Sequence, residues 1–221
     1  MDLLSLSSLL ADYYIYALAG AVVVMLFYIK RTDSFHKFLI FYLGTMLAME
    51  VISHFAAMLF KTNHAVLSLY AFTELCFFAV LYREFFLKQQ FKKLLPIAIT
   101  GASYIIAEFL YYFVFNDFNP QRYQPYCKVA ENMVILLMAL SVLNSGVFAN
   151  HTAAWGKFWF NVIIIIFFTL DTVFFLPFNF FVNAPLNSKF IFWIVHLFSV
   201  VLFYGYFTSI VFKICCIPLK P

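Results

Sequence analysis

Charge is what this chain has least of: only 11% of its 221 residues are Asp, Glu, Lys or Arg, against about a quarter in an ordinary globular domain. With 65% hydrophobic side chains and a mean hydropathy of +0.94, it cannot cover a water-soluble fold with polar surface. Glycine and proline are scarce too, at six and seven, so the long apolar runs read as regular helix. The four cysteines, Cys76, Cys127, Cys215 and Cys216, lack metal-finger spacing, and only Cys127 falls toward the outer side. No structural disulfide is expected from them. The adjacent Cys215 and Cys216 read as ordinary thiols rather than a palmitoylation site. No basic residue precedes the first apolar run, which carries Asp2 and Asp12, so a cleaved signal peptide is not expected. The net charge of +4 comes from Lys and Arg scattered along the chain, with no basic face for nucleic acid.

What is present in abundance is apolar run. Seven candidate spans cover about 13–28, 38–60, 64–86, 94–115, 126–148, 155–181 and 190–212, each near the length that crosses ~30 Å of hydrocarbon. The expected fold is an all-α membrane protein, a single seven-transmembrane helix bundle over residues 1–221. Lys30, Arg31, Lys37, Arg83, Lys88, Lys92, Lys93, Lys157, Lys213 and Lys220 fall on one side of it. Only Lys61, Arg122, Lys128 and Lys189 fall on the other, and this bias predicts N-out, C-in. The sequon Asn150-His151-Thr152 then faces the cytoplasm. No internal repeat matches polar residues at matching depth, which counts against a repeat-built transporter. The last span has lysines, Lys189 and Lys213, only at its two ends, which excludes a retinal Schiff base of the usual kind.

Against this apolar background seven ionisable side chains stand inside the spans. Counted at 1.5 Å per residue, Glu50, Glu74 and Asp171 fall about 14 Å from the outer ends and His54, Glu108, Glu131 and His196 roughly 8 to 11 Å. Spans of opposite direction thus place their costly groups at one level, and buried charge is normally turned inward and paired. The expectation is an outward-facing polar pocket, closed toward the cytoplasm by Phe, Ile and Leu. Its ligand-binding candidates are Glu74, Glu131, His196, Asn132, Tyr70 and Asp171. Five carboxylates exceed the nearby cations, so protons or a bound cation must balance them.

Three function classes follow from that excess. A receptor-like sensor would bind a small ligand or ion in the pocket and signal to a cytoplasmic partner. An intramembrane metal-dependent enzyme, hydrolase-like, would use His54, His196, Glu50, Glu74 and Glu131 around a divalent metal ion. Here Glu50 and His54 form an i,i+4 pair on one helix face. An ion- or proton-coupled transporter is the third. Whether the chain is an enzyme stays open at this level.

Four short stretches carry a resemblance. His64 to Glu74 (HAVLSLYAFTE), Tyr126 to Leu137 with a basic residue three before Glu131, Phe158 to Asn161 (FWFN) and Trp193 to His196 (WIVH) resemble the patterns H-x-Y-T-x-x-E-F, F-W-x-N and W-x-x-H. These belong to small seven-span inner-membrane proteins of Bacteroidetes-type bacteria. The resemblance implies a multi-pass protein of the inner membrane in contact with lipid, with Glu74, Glu131, Asn161 and His196 as its patterned polar residues. Its layout is similar to the membrane portions of bacterial histidine kinases, which implies sensing, with such a kinase as cytoplasmic partner.

Overall fold

The computed structural model describes residues 3–116, 118–119, 123–145, 154–178, 180, 183 and 185–216. The sequon, Arg122 and Lys220 lie outside the described residues, as do the side chains of Asp12, Lys189, Cys215 and Cys216. Among the described residues seven α-helices run in order: α1 (Leu3–Tyr28), α2 (Ser34–Phe60), α3 (His64–Leu81), α4 (Leu95–Leu110), α5 (Tyr126–Asn144), α6 (Ala154–Phe175) and α7 (Leu186–Cys216). All seven are long and apolar enough to cross a membrane, as befits a multi-pass membrane protein. No strand occurs among the described residues.

Local chemistry sets several of the boundaries. The Asp33 carboxylate accepts the His36 backbone N–H at 2.9 Å and pairs with the His36 imidazole, capping the start of α2. α6 stops at Phe175, two residues before Pro177, whose ring cannot continue a helix. α5 ends at Asn144, short of the expected Phe148, where the Ser145 hydroxyl donates back to the Val142 carbonyl at 2.7 Å. α3 and α4 each finish in a widened π turn, at Tyr82–Leu87 and Tyr111–Phe115.

The helices fall into two compact units, 1–55 with 185–221, and 56–184, where the sequence reading treats them as one domain. In the first, α1 packs on α7 and aromatic rings fill the core: Tyr14 stacks on Tyr204, and Tyr42 leans on Phe207. The second unit holds α3 to α6. Each of its helices buries one stripe at three- and four-residue spacing, the period that puts side chains on one face. The stripe is Ser68, Ala71, Glu74, Phe78 and Leu81 on α3, and Cys127, Lys128, Glu131, Asn132, Ile135, Met138 and Val142 on α5. On α6 it is Asn161, Ile164, Phe168, Asp171 and Phe175.

The two ends of this unit differ. At the end where α3 and α4 meet, the Tyr82 hydroxyl donates to Asn161 Oδ1 at 2.9 Å and Asn161 Nδ2 donates to the Ala139 carbonyl at 3.0 Å. Apolar rings surround that one polar link, Phe78 against Phe168 and Phe86 against Phe160. Halfway along, α4 approaches α5 closely because its stripe uses Ala98 and Gly101. A Cβ on Gly101 would stand 2.8 Å from Val134 Cγ2. Gly101→Ala is therefore expected to cost about 1–3 kcal/mol in thermal unfolding of the purified protein. A second change, Val134→Ala, should recover most of that loss.

Candidate buried ionic site

The helical period alone turns Glu74 inward. It stands three residues after Ala71 and four before Phe78, both fully buried, so lipid exposure would require breaking the α3 stripe. The same logic brings the first turns of α5 to face it, and these carry Lys128, Glu131 and Asn132. Asp171, one turn before the end of α6, completes the group. Exposure is 1% for Glu74, 4% for Lys128, 0% for Glu131 and Asn132, and 2% for Asp171.

Lys128 is the hub. Its Nζ donates to Glu74 Oε2 at 2.6 Å and to Glu131 Oε1 at 3.1 Å, and Glu131 Oε2 lies at ion-pair distance, 2.9 Å, without a hydrogen bond. Asp171 Oδ2 lies 3.7 Å from the same ammonium and accepts the Asn132 Nδ2 amide at 2.9 Å. The Tyr70 ring centroid is 5.1 Å from Nζ and the Phe168 centroid 6.0 Å, distances at which an aromatic face attracts a cation. The Glu74 and Glu131 carboxyl groups also lie against each other. Three acids thus share the Lys128 ammonium in a fully buried cluster. Asn132 Oδ1 is buried with no hydrogen-bond partner.

A second polar layer lies one to two turns nearer the starts of α3 and α5. There the Ser68 hydroxyl is 3.3 Å from the Tyr123 hydroxyl and 3.6 Å from Cys127 Sγ. Glu108 of α4 is buried beside it. Neither of its oxygens has a partner within hydrogen-bond geometry, and the groups turned toward it are Cys127 and the Tyr104 hydroxyl. Tyr123 arrives from the connection between α4 and α5, which is held down by Gln124. The Gln124 amide donates to the Phe175 and Leu176 carbonyls, at 2.7 and 2.9 Å, at the end of α6 where carbonyls lose their helical partners. His64, Tyr112, Phe113 and Phe118 pack around the Tyr123 ring. Burial holds the Tyr123 phenol well above its ordinary pKa, so the hydroxyl keeps its proton. Among the described residues these rings pack over the Tyr123 end of the second unit.

Of the seven ionisable groups expected at one level, three meet: Glu74, Glu131 and Asp171 share the Lys128 cluster. Of the ligand-binding candidates, Asn132 and Tyr70 join them. Glu50, His54 and His196 belong to the first unit. Glu50 is half-buried on α2, His54 is exposed beside Phe55, and His196 is half-buried with its ring on Trp193. The metal set His54, His196, Glu50, Glu74 and Glu131 is divided between the two units; among the described residues no group of three His, Cys, Asp or Glu is placed to hold a metal ion, and Glu74 and Glu131 meet on the Lys128 ammonium. Lys128 itself is absent from the sequence-derived site. Its signal was present, a basic residue three before a carboxylate on the same helical face. Its place near the start of α5 let it pass for an interfacial lysine. No family model, curated protein or solved structure matches this chain, so the functional argument rests on this geometry.

Proposed function

We propose that the chain is a membrane sensor whose responsive element is the Lys128 cluster. One observation carries the reading: three carboxyl groups converge on the fully buried Lys128 ammonium inside an apolar helical unit. For packing alone such an arrangement is a poor device, since an apolar core of equal volume is commonly as stable as a buried ion pair. Acids gathered on one ammonium respond instead to a proton or cation that reaches them. A proton or cation added there alters the pull on Lys128 and so the seating of α3, α5 and α6, which it ties together.

The basic residues at the helix ends favour N-out, C-in, which puts the Tyr123 end toward the exterior and the Tyr82 end toward the cytoplasm. A cytoplasmic partner such as a histidine kinase would then read the shift. The resemblance to small inner-membrane proteins supports placement in a bacterial inner membrane. The test is thermal unfolding of purified protein across pH 5 to 9 and with sodium, magnesium or zinc chloride. The sensor reading expects a midpoint that moves with at least one of these in the wild type and stays fixed in Glu74→Gln. A wild type indifferent to all of them, with Glu74→Gln equally stable, would reduce the cluster to a packing feature. Near-stoichiometric metal in protein prepared without chelator, lost in His54→Ala and His196→Ala, would favour a metalloenzyme.

A further inference from the structure

We infer that the connection between α3 and α4, together with the start of α6, forms a binding surface for the headgroup of an anionic phospholipid. Residues 82–93 carry Arg83, Lys88, Lys92 and Lys93 against one acid, Glu84, which pairs with Arg83 at 3.2 Å. All four basic side chains are exposed. Lys157, exposed in the first turn of α6, adds a fifth: it stands three residues before Phe160, whose ring stacks on Phe86 of the connection at 6.1 Å. Among the described residues no acid pairs with Lys88, Lys92, Lys93 or Lys157. Four ammonium groups at this end of the second unit thus keep their charge for a partner outside the chain.

The build of the connection favours lipid over a protein partner. It runs as the π turn Tyr82–Leu87 and the 3-10 helix Lys88–Lys93, held down by the buried Phe86, Leu87 and Phe91 and by the Tyr82 bond to Asn161. The basic side chains are therefore fixed at the level where the spans end. On either side the exposed surface is apolar at once, with Val80 on α3 and Leu95, Ile97 and Ile99 on α4. Trp159 is exposed on α6, a residue type that gathers where hydrocarbon meets headgroups. A lysine at such a boundary lays its methylenes along the apolar surface and lifts its ammonium to the phosphate layer. Basic clusters placed just beyond a span attract anionic lipid in this way. In the orientation proposed above this is the cytoplasmic leaflet.

The test is thermal unfolding of purified full-length protein in dodecylmaltoside micelles doped with dioleoylphosphatidylglycerol or, at equal mole fraction, dioleoylphosphatidylcholine. The expected result is a midpoint about 3 °C higher with the anionic lipid, a difference that about 0.5 M sodium chloride removes. The combined variant Lys88→Gly, Lys92→Gln, Lys93→Gln should unfold as the wild type does in phosphatidylcholine and lose most of the difference. Lys88 has φ 45°, a backbone region that glycine takes readily, so its replacement eases the chain while removing the charge. Should the triple variant not fold, Lys92→Gln with Lys93→Gln serves the same purpose. Equal midpoints in the two lipids, or an undiminished difference in the variants, would overturn the proposal. A rise as large with glycerol phosphate would reassign the surface to a free phosphate compound, and one as large with polyglutamate would reassign it to an acidic protein; either overturns the lipid reading.

Discussion

Lys128→Met is expected to be the most damaging single substitution in the protein, lowering stability by about 3–5 kcal/mol. The side chain lost is of similar length, so packing changes little. What remains is three carboxyl groups, Glu74, Glu131 and Asp171, buried together with the Lys128 ammonium removed. Uncompensated charge in a dry interior is the dominant cost, well above the 0.6 to 2 kcal/mol or so of an ordinary interhelical hydrogen bond in a membrane. Thermal unfolding in detergent measures it, and a double variant identifies the cause. Glu74→Gln combined with Lys128→Met removes one negative charge from the stranded group. It should be more stable than Lys128→Met alone, by an amount that a double-mutant cycle reports as coupling. If the two losses simply add, the 2.6 Å contact between these residues contributes little and the cluster is not an electrostatic unit.

Asn161→Ala ranks second, with an expected loss of about 2–4 kcal/mol. Its amide is fully buried and serves two partners from different segments, the Tyr82 hydroxyl of the π turn and the Ala139 carbonyl of α5. Truncation leaves the hydroxyl stranded and opens a small cavity among Phe78, Phe86, Phe160 and Phe168. Adding Tyr82→Phe removes the stranded hydroxyl, so the double variant should regain roughly 1 kcal/mol over Asn161→Ala. Because Asn161 stands ten residues, roughly 15 Å along α6, before Asp171, the variant should still respond to pH or cations as the wild type does. An Asn161→Ala protein of normal stability that had lost that response would instead make Asn161 part of the sensing site.

These two residues show how much of the site can be read without a structure. Asn161 and Glu74 announce themselves, because a polar side chain within an apolar run has few explanations, and helical spacing decides which face it occupies. Lys128 does not. Lysine near the start of a span ordinarily reaches out to the interface, and nothing local reveals that this one points inward to Glu74, 54 residues earlier. Depth counting misleads in a related way. It put His54, His196 and Glu50 at the level of Glu74 and Glu131, but equal depth says nothing about which helices are neighbours. His54, His196 and Glu50 fall in the first unit, and Glu74 and Glu131 in the second.

The amino-acid sequence by itself determined that the chain forms helices long and apolar enough to cross a membrane, seven among the described residues, and where most of them begin and end. Those properties depend on composition and short-range periodicity, since hydropathy, the need to satisfy backbone groups in lipid, and breakers such as Pro177 all act within a few residues. Only the tertiary structure decided that the helices group as three and four, that Tyr123 and Gln124 fold over one end of the second unit, and that three of the acids gather on Lys128. Those outcomes depend on which helix faces packed together, and that choice is made by contacts between residues dozens of positions apart.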